Sequence, residues 1–512
     1  MTSRSRAENL GITRAHSPGG TDITPAERRN RSGGWRAICR PTAVLAAAVL
    51  LFSTPAAAPP EEPDVRVWLT TADARYLLAE RDGLDFRPGP DVDGVRIHVK
   101  PGETFQTMAG FGASFTESAA SLVASHPRRD ELMRDLFDPA DPDGAALSAL
   151  RQPIGSSDFA TGPHYTYDDA RGEDWDLGEF DMSRDRTALE LVGQARRMEP
   201  RTHLTATPWS PPAWMKTNRS LIGGDLRDEA YPVYAEYLAR VAREYERAGT
   251  PLDAITPQNE PLLGDPGDYP GMALSPEEES RLVRELRPRL GGSPEILGFD
   301  HNWARHPNDD GDPRYPFTLM SKARKHLAGT AYHCYHGDAQ RQSELHDSFP
   351  DKDIHLTECS PTESSDPGST FRDTLMWMTR DVVIGATRNW ARSVVLWNVA
   401  LDPAHGPHNG GCSTCDGLLE IDPATGEVRR EAGFYALGHA SRFVRPGAVR
   451  INSFSVDPQA LQTVAFRNPD GTTAVLLSNP NPQARTATLI EGDRYLTYDV
   501  PAESVTTLTW RG

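Results

Sequence analysis

The chain has 512 residues, 72 of them acidic and 54 basic, for a formal charge of −18, with 38% apolar and 25% charged side chains. This is a soluble globular composition and excludes a disordered or fibrous chain. The acidic balance argues against nucleic acid, whose affinity rests on Lys and Arg neutralising phosphates, and against a polybasic membrane anchor. No apolar run reaches the roughly 18–20 residues that span a bilayer.

Residues 1–40 hold eight Arg, no Lys and three acids; an apolar stretch over 43–52 follows, and then Ser53-Thr54-Pro55-Ala56-Ala57-Ala58. A basic region, a short apolar region and a small-residue site predict a secretory leader over 1–58 and an extracellular mature chain. An uncleaved membrane anchor is the bland alternative, for which the apolar run is short. Removing the leader would leave 46 basic and 69 acidic residues, a charge of −23. Such acidity favours solubility and implies no particular partner. Cys39 goes with the leader, whereas Cys334, Cys359, Cys412 and Cys415 remain in a compartment where disulfides are allowed.

Residues 64–100 read as strands, since Val65-Arg66-Val67-Trp68-Leu69 and Val95-Arg96-Ile97-His98-Val99 alternate. Over 101–440 short apolar runs alternate with helical stretches. The runs end near Phe111, Ile154, Thr207, Thr256, Phe299, His333, Thr357 and Trp397, which makes eight. Val233, Tyr234, Tyr237, Leu238, Val241 and Tyr245 recur at helical spacing, with Gly249 placed to end that helix. Ser275-Pro276-Glu277-Glu278 reads as an N-cap with a capping box and Pro at the first helical position. Eight strands alternating with helices predict an α/β fold, a (β/α)8 TIM barrel. A doubly wound sheet is the competitor, and its Gly-rich phosphate loop has only a weak echo in Gly110-Phe111-Gly112. Over 441–512 the helical period is lost and a hairpin around Asn468-Pro469-Asp470-Gly471 is followed by two further strands. Strands from both ends of the mature chain are expected to join in one appended β-sandwich.

Active sites of such barrels lie at the C-terminal ends of the strands. Asn259-Glu260 closes the fourth run and Thr357-Glu358 the seventh, so two carboxylates 98 residues apart converge on one mouth if the barrel closes. One can protonate a leaving oxygen while the other attacks as nucleophile, and a separation of about 5 Å would give retention at the anomeric carbon. A single Glu at a strand end is usually a salt-bridged rim residue, but other strand ends are also unusual. Arg151 and Asp158 flank the second exit, Trp209 follows the third, His301 and Trp303 the fifth, His333 and Tyr335 the sixth, and Trp397-Asn398 ends the eighth. Aromatic faces beside Asp, Asn and His suit a sugar. Asn259 could bond a sugar 2-hydroxyl, Arg151 would hold one glutamate ionised, and partial burial would keep the other protonated.

These residues together resemble the glucosylceramidase-like retaining glycoside hydrolases of family 30. The resemblance rests on Gly110-Phe111-Gly112, the segment from Arg151 to Asp158, Thr207-Pro208-Trp209, Gln258-Asn259-Glu260-Pro261, Thr357-Glu358 and Trp397-Asn398, in family order. It implies a barrel fused to a β-sandwich, no metal or other cofactor, and Glu260 as acid/base with Glu358 as nucleophile. It also implies Asp158, Trp209, Asn259, Tyr335 and Trp397 around the sugar, with Arg151 near the nucleophile. His333 is counted with the substrate-binding residues. The expected substrate is a β-linked glucoside or glucan, with glucosylceramidase-type cleavage as the leading expectation. The loop Gly410-Gly411-Cys412-Ser413-Thr414-Cys415 instead resembles bacterial and fungal members, some of which cleave β-1,6-glucans, so endo-β-1,6-glucanase action is the alternative.

Cys412 and Cys415 could form a local disulfide, or join His405 and His408 around zinc; in an exported protein the disulfide is favoured. Two readings outside retaining hydrolysis stand beside these: a metal-dependent hydrolase using His333 and His336, and a carbohydrate-binding barrel without activity.

Overall fold

The computed structural model describes residues 62–89, 93–361 and 370–512. The leader expected over 1–58, with Cys39, lies outside the described residues. The eight apolar runs form eight parallel strands: Gly110–Ser114, Ala149–Ile154, His203–Pro208, Ala254–Ile255, Glu295–Asn302, Gly329–His333, Asp353–Glu358 and Ala391–Leu401. Each pairs with the next, and the eighth pairs with both the seventh and the first, which closes the barrel. Gly110-Phe111-Gly112 belongs to the first strand and is not a phosphate loop. A side chain at Gly112 would run into the carbonyl of Ala149 on the second strand, so glycine is required by close strand approach.

The helix Tyr231–Arg247 buries Val233, Tyr234, Tyr237, Leu238, Val241 and Tyr245 on one face. Gly249 follows it at φ +77°, the left-handed position that favours glycine after a helix. Ser275 caps Pro276–Leu290 with the reciprocal Glu278 bonds of a capping box.

The second sheet draws strands from both ends of the described residues. Val65–Thr71 pairs with Ser504–Arg511 over seven residues. Val95–Thr107 lies between Val449–Ser455 and Arg485–Glu491. Their inward residues, among them Val65, Val67, Ile97, Val99, Ile451, Val475, Leu489 and Leu508, form one buried cluster separate from the main barrel core. The α/β barrel with an appended β-sandwich is therefore the fold.

Candidate active site

The fifth strand carries the residue around which the mouth is organised. Asp300 is wholly buried and accepts hydrogen bonds from Thr207 Oγ1 (3.1 Å), Thr256 Oγ1 (2.8 Å), Thr357 Oγ1 (2.6 Å) and Arg151 Nη2 (2.9 Å). His333 Nε2 lies 3.1 Å from Oδ1, the oxygen that Thr357 also reaches, while Thr207, Thr256 and Arg151 meet Oδ2. Groups from the second, third, fourth, sixth and seventh strands thus meet on one carboxylate, which these cations and donors hold well below the usual range despite its burial. Its backbone sits at φ +54°, and Glu260 at φ +46°, both strained for a side-chain-bearing residue. Asp300 was not among the residues expected from the sequence, where its neighbours His301 and Trp303 stood out instead.

Arg151 is also wholly buried. Its Nη1 donates to Glu358 Oε2 at 2.6 Å and its Nη2 also donates to Asn259 Oδ1 at 2.7 Å. With the Asn259 oxygen so occupied, its amide N–H groups are free to face the cavity that Asn259 lines. Trp209 and Trp397 stack on one another (centroids 4.9 Å apart, planes 18° apart), and the Arg151 guanidinium lies 4.9 and 5.4 Å from their rings. Tyr335 is 40% exposed, and its hydroxyl donates to Glu358 Oε1 at 2.9 Å.

These side chains surround a cavity of about 390 Å³ lined by Asp158, Trp209, Asn259, Glu260, Tyr269, Tyr335, Glu358 and Trp397, with Cys412 and Cys415 on one wall. Arg151 and His333, expected near the sugar, stand behind the carboxylates rather than on the wall. A carboxylate oxygen of Glu260, a ring nitrogen of His333 and a carboxylate oxygen of Glu358 lie within 4.8 Å of one another. This trio has the residue types of a metal site. His333, however, faces Glu260 with Nδ1 and Asp300 with Nε2, both at 3.1 Å, so both nitrogens act as donors and neither offers a lone pair. Burial alone would lower its pKa; the charge of Glu358 and the hydrogen bonds to Asp300 and Glu260 outweigh that and raise it to about 9.

The expected proton order of the two glutamates needs correction. Burial raises Glu260, but the His333 hydrogen bond and the neighbouring cationic groups outweigh it, and the net shift is downward. Burial also raises Glu358, and the negative charges of Glu260 and Asp300 add to this against His333 and Arg151, so the net shift is upward. Arg151, expected to hold the nucleophile ionised, pairs with Glu358 and also with Asp300. Asp158, buried beside both glutamates, is raised to about 8 and carries a proton at neutral pH.

Cys412 and Cys415 are joined in a disulfide, which leaves no thiolate for zinc. His405 instead lies 3.2 Å from Asp416, and His408 Nδ1 is 3.1 Å from the Gly410 carbonyl. A second disulfide, Cys334–Cys359, went unread in the sequence. It links the residue after His333 to the residue after Glu358. Trp303 points away from the cavity toward another opening beside Cys334.

The model described as the glycosyl hydrolase family 30 TIM-barrel domain matches residues 108–444, and that of the glycosyl hydrolase family 30 beta sandwich domain matches 447–508. Similar proteins include an endo-1,6-beta-D-glucanase of Neurospora crassa, 30% identical over 81% of this chain and 88% of its own length. The lysosomal acid glucosylceramidase of Mus musculus is 28% identical, over 82% and 84%. The solved structure of an endo-beta1,6-glucanase superimposes with a TM-score of 0.80 at 32% identity, covering 88% of this chain and 100% of that one. The chain belongs to glycosyl hydrolase family 30 and is a glycoside hydrolase.

Proposed function

We propose that the chain is a secreted endo-β-1,6-glucanase that hydrolyses with retention of anomeric configuration. The observation that carries the retaining mechanism is the approach of Glu260 and Glu358 to within 4.8 Å across one sugar-sized cavity. That spacing suits direct attack and leaves no room for an interposed water. Glu358 attacks the anomeric carbon, the bond to the glycosidic oxygen breaks, and that oxygen takes a proton from Glu260. Water then attacks the same carbon and gives its proton to Glu260, and the bond to Glu358 breaks. The proton for the first step is held in the Glu260–His333 hydrogen bond. His333 passes it to Glu260, and Glu260, on the cavity wall, delivers it to the glycosidic oxygen. Arg151 and Tyr335 donate to the Glu358 carboxylate and hold it for the attack. Asn259 donates to the 2-hydroxyl, a bond that strengthens as positive charge develops on the ring.

The β-1,6 linkage and endo action rest on likeness to relatives bearing that name and on the Gly410–Cys415 loop, and so displace glucosylceramidase-type cleavage as the leading reading. The likeness to mouse glucosylceramidase keeps glucosylceramide as the second substrate to test. Export is supported by the leader composition and by two disulfides, and no helix among the described residues is long and apolar enough to cross a membrane.

Product analysis on β-1,6-glucan, glucosylceramide and xylan tests the substrate, with oligosaccharides from β-1,6-glucan expected. NMR of the first product tests the stereochemistry, with the β anomer expected. Glu358→Gln is expected to abolish turnover, and Glu260→Gln to slow it about 10²–10⁴-fold. Undiminished hydrolysis by Glu358→Gln overturns the assignment.

A further inference from the structure

The sixth and seventh strands stop pairing at the point where their catalytic groups begin. Tyr332 faces Leu356 and the next pair is His333 with Glu358, so Thr357 is skipped and the ladder is irregular at its last step. The skipped residue turns its hydroxyl to Asp300. An extra residue of this kind bends a strand and disrupts its ladder locally, and it recurs beside active sites because it re-aims a side chain. Both strands end with this pair, at His333 and Glu358. The alignment of the groups beyond it needs another source.

The next residue on each strand is a cysteine, and the Cys334–Cys359 disulfide spans the gap with the Cα atoms 5.2 Å apart. Both cysteines are buried. Cys334 lies between His333, whose Nδ1 is 3.1 Å from Glu260, and Tyr335, whose hydroxyl donates to Glu358 Oε1 at 2.9 Å. Cys359 follows Glu358 directly, and its carbonyl accepts from the Trp397 N–H of the eighth strand at 2.8 Å. Tyr335 has a backbone anchor in Asn302 Oδ1 at 3.0 Å, but its exposed ring is not fixed by packing. The hydroxyl therefore meets the carboxylate only while the two chain segments that carry them keep their spacing. A misplacement of about 1 Å at such a site can cost roughly 10²-fold in rate.

We infer that Cys334 and Cys359 are positioning residues, whose disulfide holds Tyr335 against the Glu358 carboxylate and so sustains the rate of nucleophilic attack. This role rests on the reading of Glu358 as nucleophile. The same bond also constrains the unfolded chain and stabilises the fold, so a loss of stability does not by itself reveal the role in turnover.

A double-mutant cycle on the full chain with β-1,6-glucan, run well below the unfolding transition of every variant, separates the two. Cys334→Ala/Cys359→Ala is expected to lower kcat about tenfold or more with KM nearly unchanged. Tyr335→Phe is expected to cost about tenfold in kcat in the native chain, the size of a hydrogen bond to a charged group, and less than about threefold once the disulfide is gone. A bond that serves stability alone lowers the unfolding temperature, leaves kcat of the folded protein as it was, and leaves the cost of Tyr335→Phe equal in both chains. That result overturns the inference. Should the alanine pair not fold, Cys334→Val/Cys359→Ala restores lost volume without a link and takes its place; failure of both to fold assigns the bond to folding and overturns the inference as well. Failure of the nucleophile reading has a different signature, since Tyr335→Phe then costs nothing in the native chain with its disulfide intact, and the positioning role falls with it. If the chain cleaves glucosylceramide and not β-1,6-glucan, the same cycle on glucosylceramide decides the role.

Discussion

Two histidines, each wholly or almost wholly buried, occupy opposite ends of the barrel. His333 ends the sixth strand at the catalytic mouth, and His355 lies near the start of the seventh strand at the other end. Burial works against the charged form of both. At the mouth the carboxylates of Asp300, Glu260 and Glu358 overcome it, and His333 is raised to about 9. At the far end His355 stacks on His203 (5.4 Å, 15°) with Arg392 nearby, and its pKa falls well below 6.5. Depth in the protein does not set the charge of a buried group; the sign of its neighbours does. The mouth is an ionic core bought with strained backbone at Asp300 and Glu260, while at the base burial, His203 and Arg392 keep His355 neutral.

The strongest way to break this comparison is to remove the cation that supports the mouth. Arg151→Met leaves Asp300 and Glu358 as buried carboxylates without their pair. A loss of about 3–5 kcal/mol is expected, with activity falling in the protein that still folds. Denaturant unfolding and kcat on one preparation check it; a near-native stability would mean the mouth is not an ionic core.

The second largest effect sharpens the comparison by pH. Because the folded value of His333 is raised, its contribution is complete below about pH 6.5 and is lost as pH rises toward 9. The full contribution is about 3 kcal/mol at most. Native protein should therefore be more stable than His333→Gln at pH 6, with the gap closing between pH 6.5 and 9. Thermal unfolding of the two proteins across that range measures it, and a constant gap contradicts a charged His333.

Much of the mouth was legible in the sequence. Polar or aromatic residues end or closely follow the apolar runs, and a closed parallel barrel sends all such ends to one face, so Glu260 and Glu358 could be read as partners. Asp300 was not legible. It follows an apolar run like many aspartates, and its importance comes from Thr207, Thr256 and Thr357 on three other strands, none informative alone. Cys334–Cys359 was hidden for a similar reason. Only the register that sets His333 opposite Glu358 places the two following cysteines side by side. The opposite shifts of the two glutamates were not legible because they depend on the burial of Glu358 and on the His333 hydrogen bond to Glu260, which are matters of position and not of residue type.

The smallest effects belong to the base of the barrel and have the opposite sign. His355 Nδ1 lies 2.8 Å from Ser393 Oγ, while its Nε2, like that of His203, has no protein partner. Asp253, Glu295 and Arg392 line the same small opening, and Asp353 pairs with Arg392. Since the folded value of His355 is lowered, the unfolded chain takes up the proton first as pH falls. Its contribution is complete above about pH 6.5 and is lost below it. His355→Gln should thus blunt the loss of stability on acidification between pH 6.5 and 5, where His333 contributes no change. Ser393→Ala removes the one hydrogen bond that orients the ring and should cost about 1 kcal/mol at neutral pH. Because nothing at this end touches the catalytic cavity, kcat/KM for both variants should match the native enzyme at temperatures where they are folded. A fall in turnover comparable to that of Arg151→Met would mean that the two ends are coupled, and that the neutral base is part of what holds the ionic mouth in place.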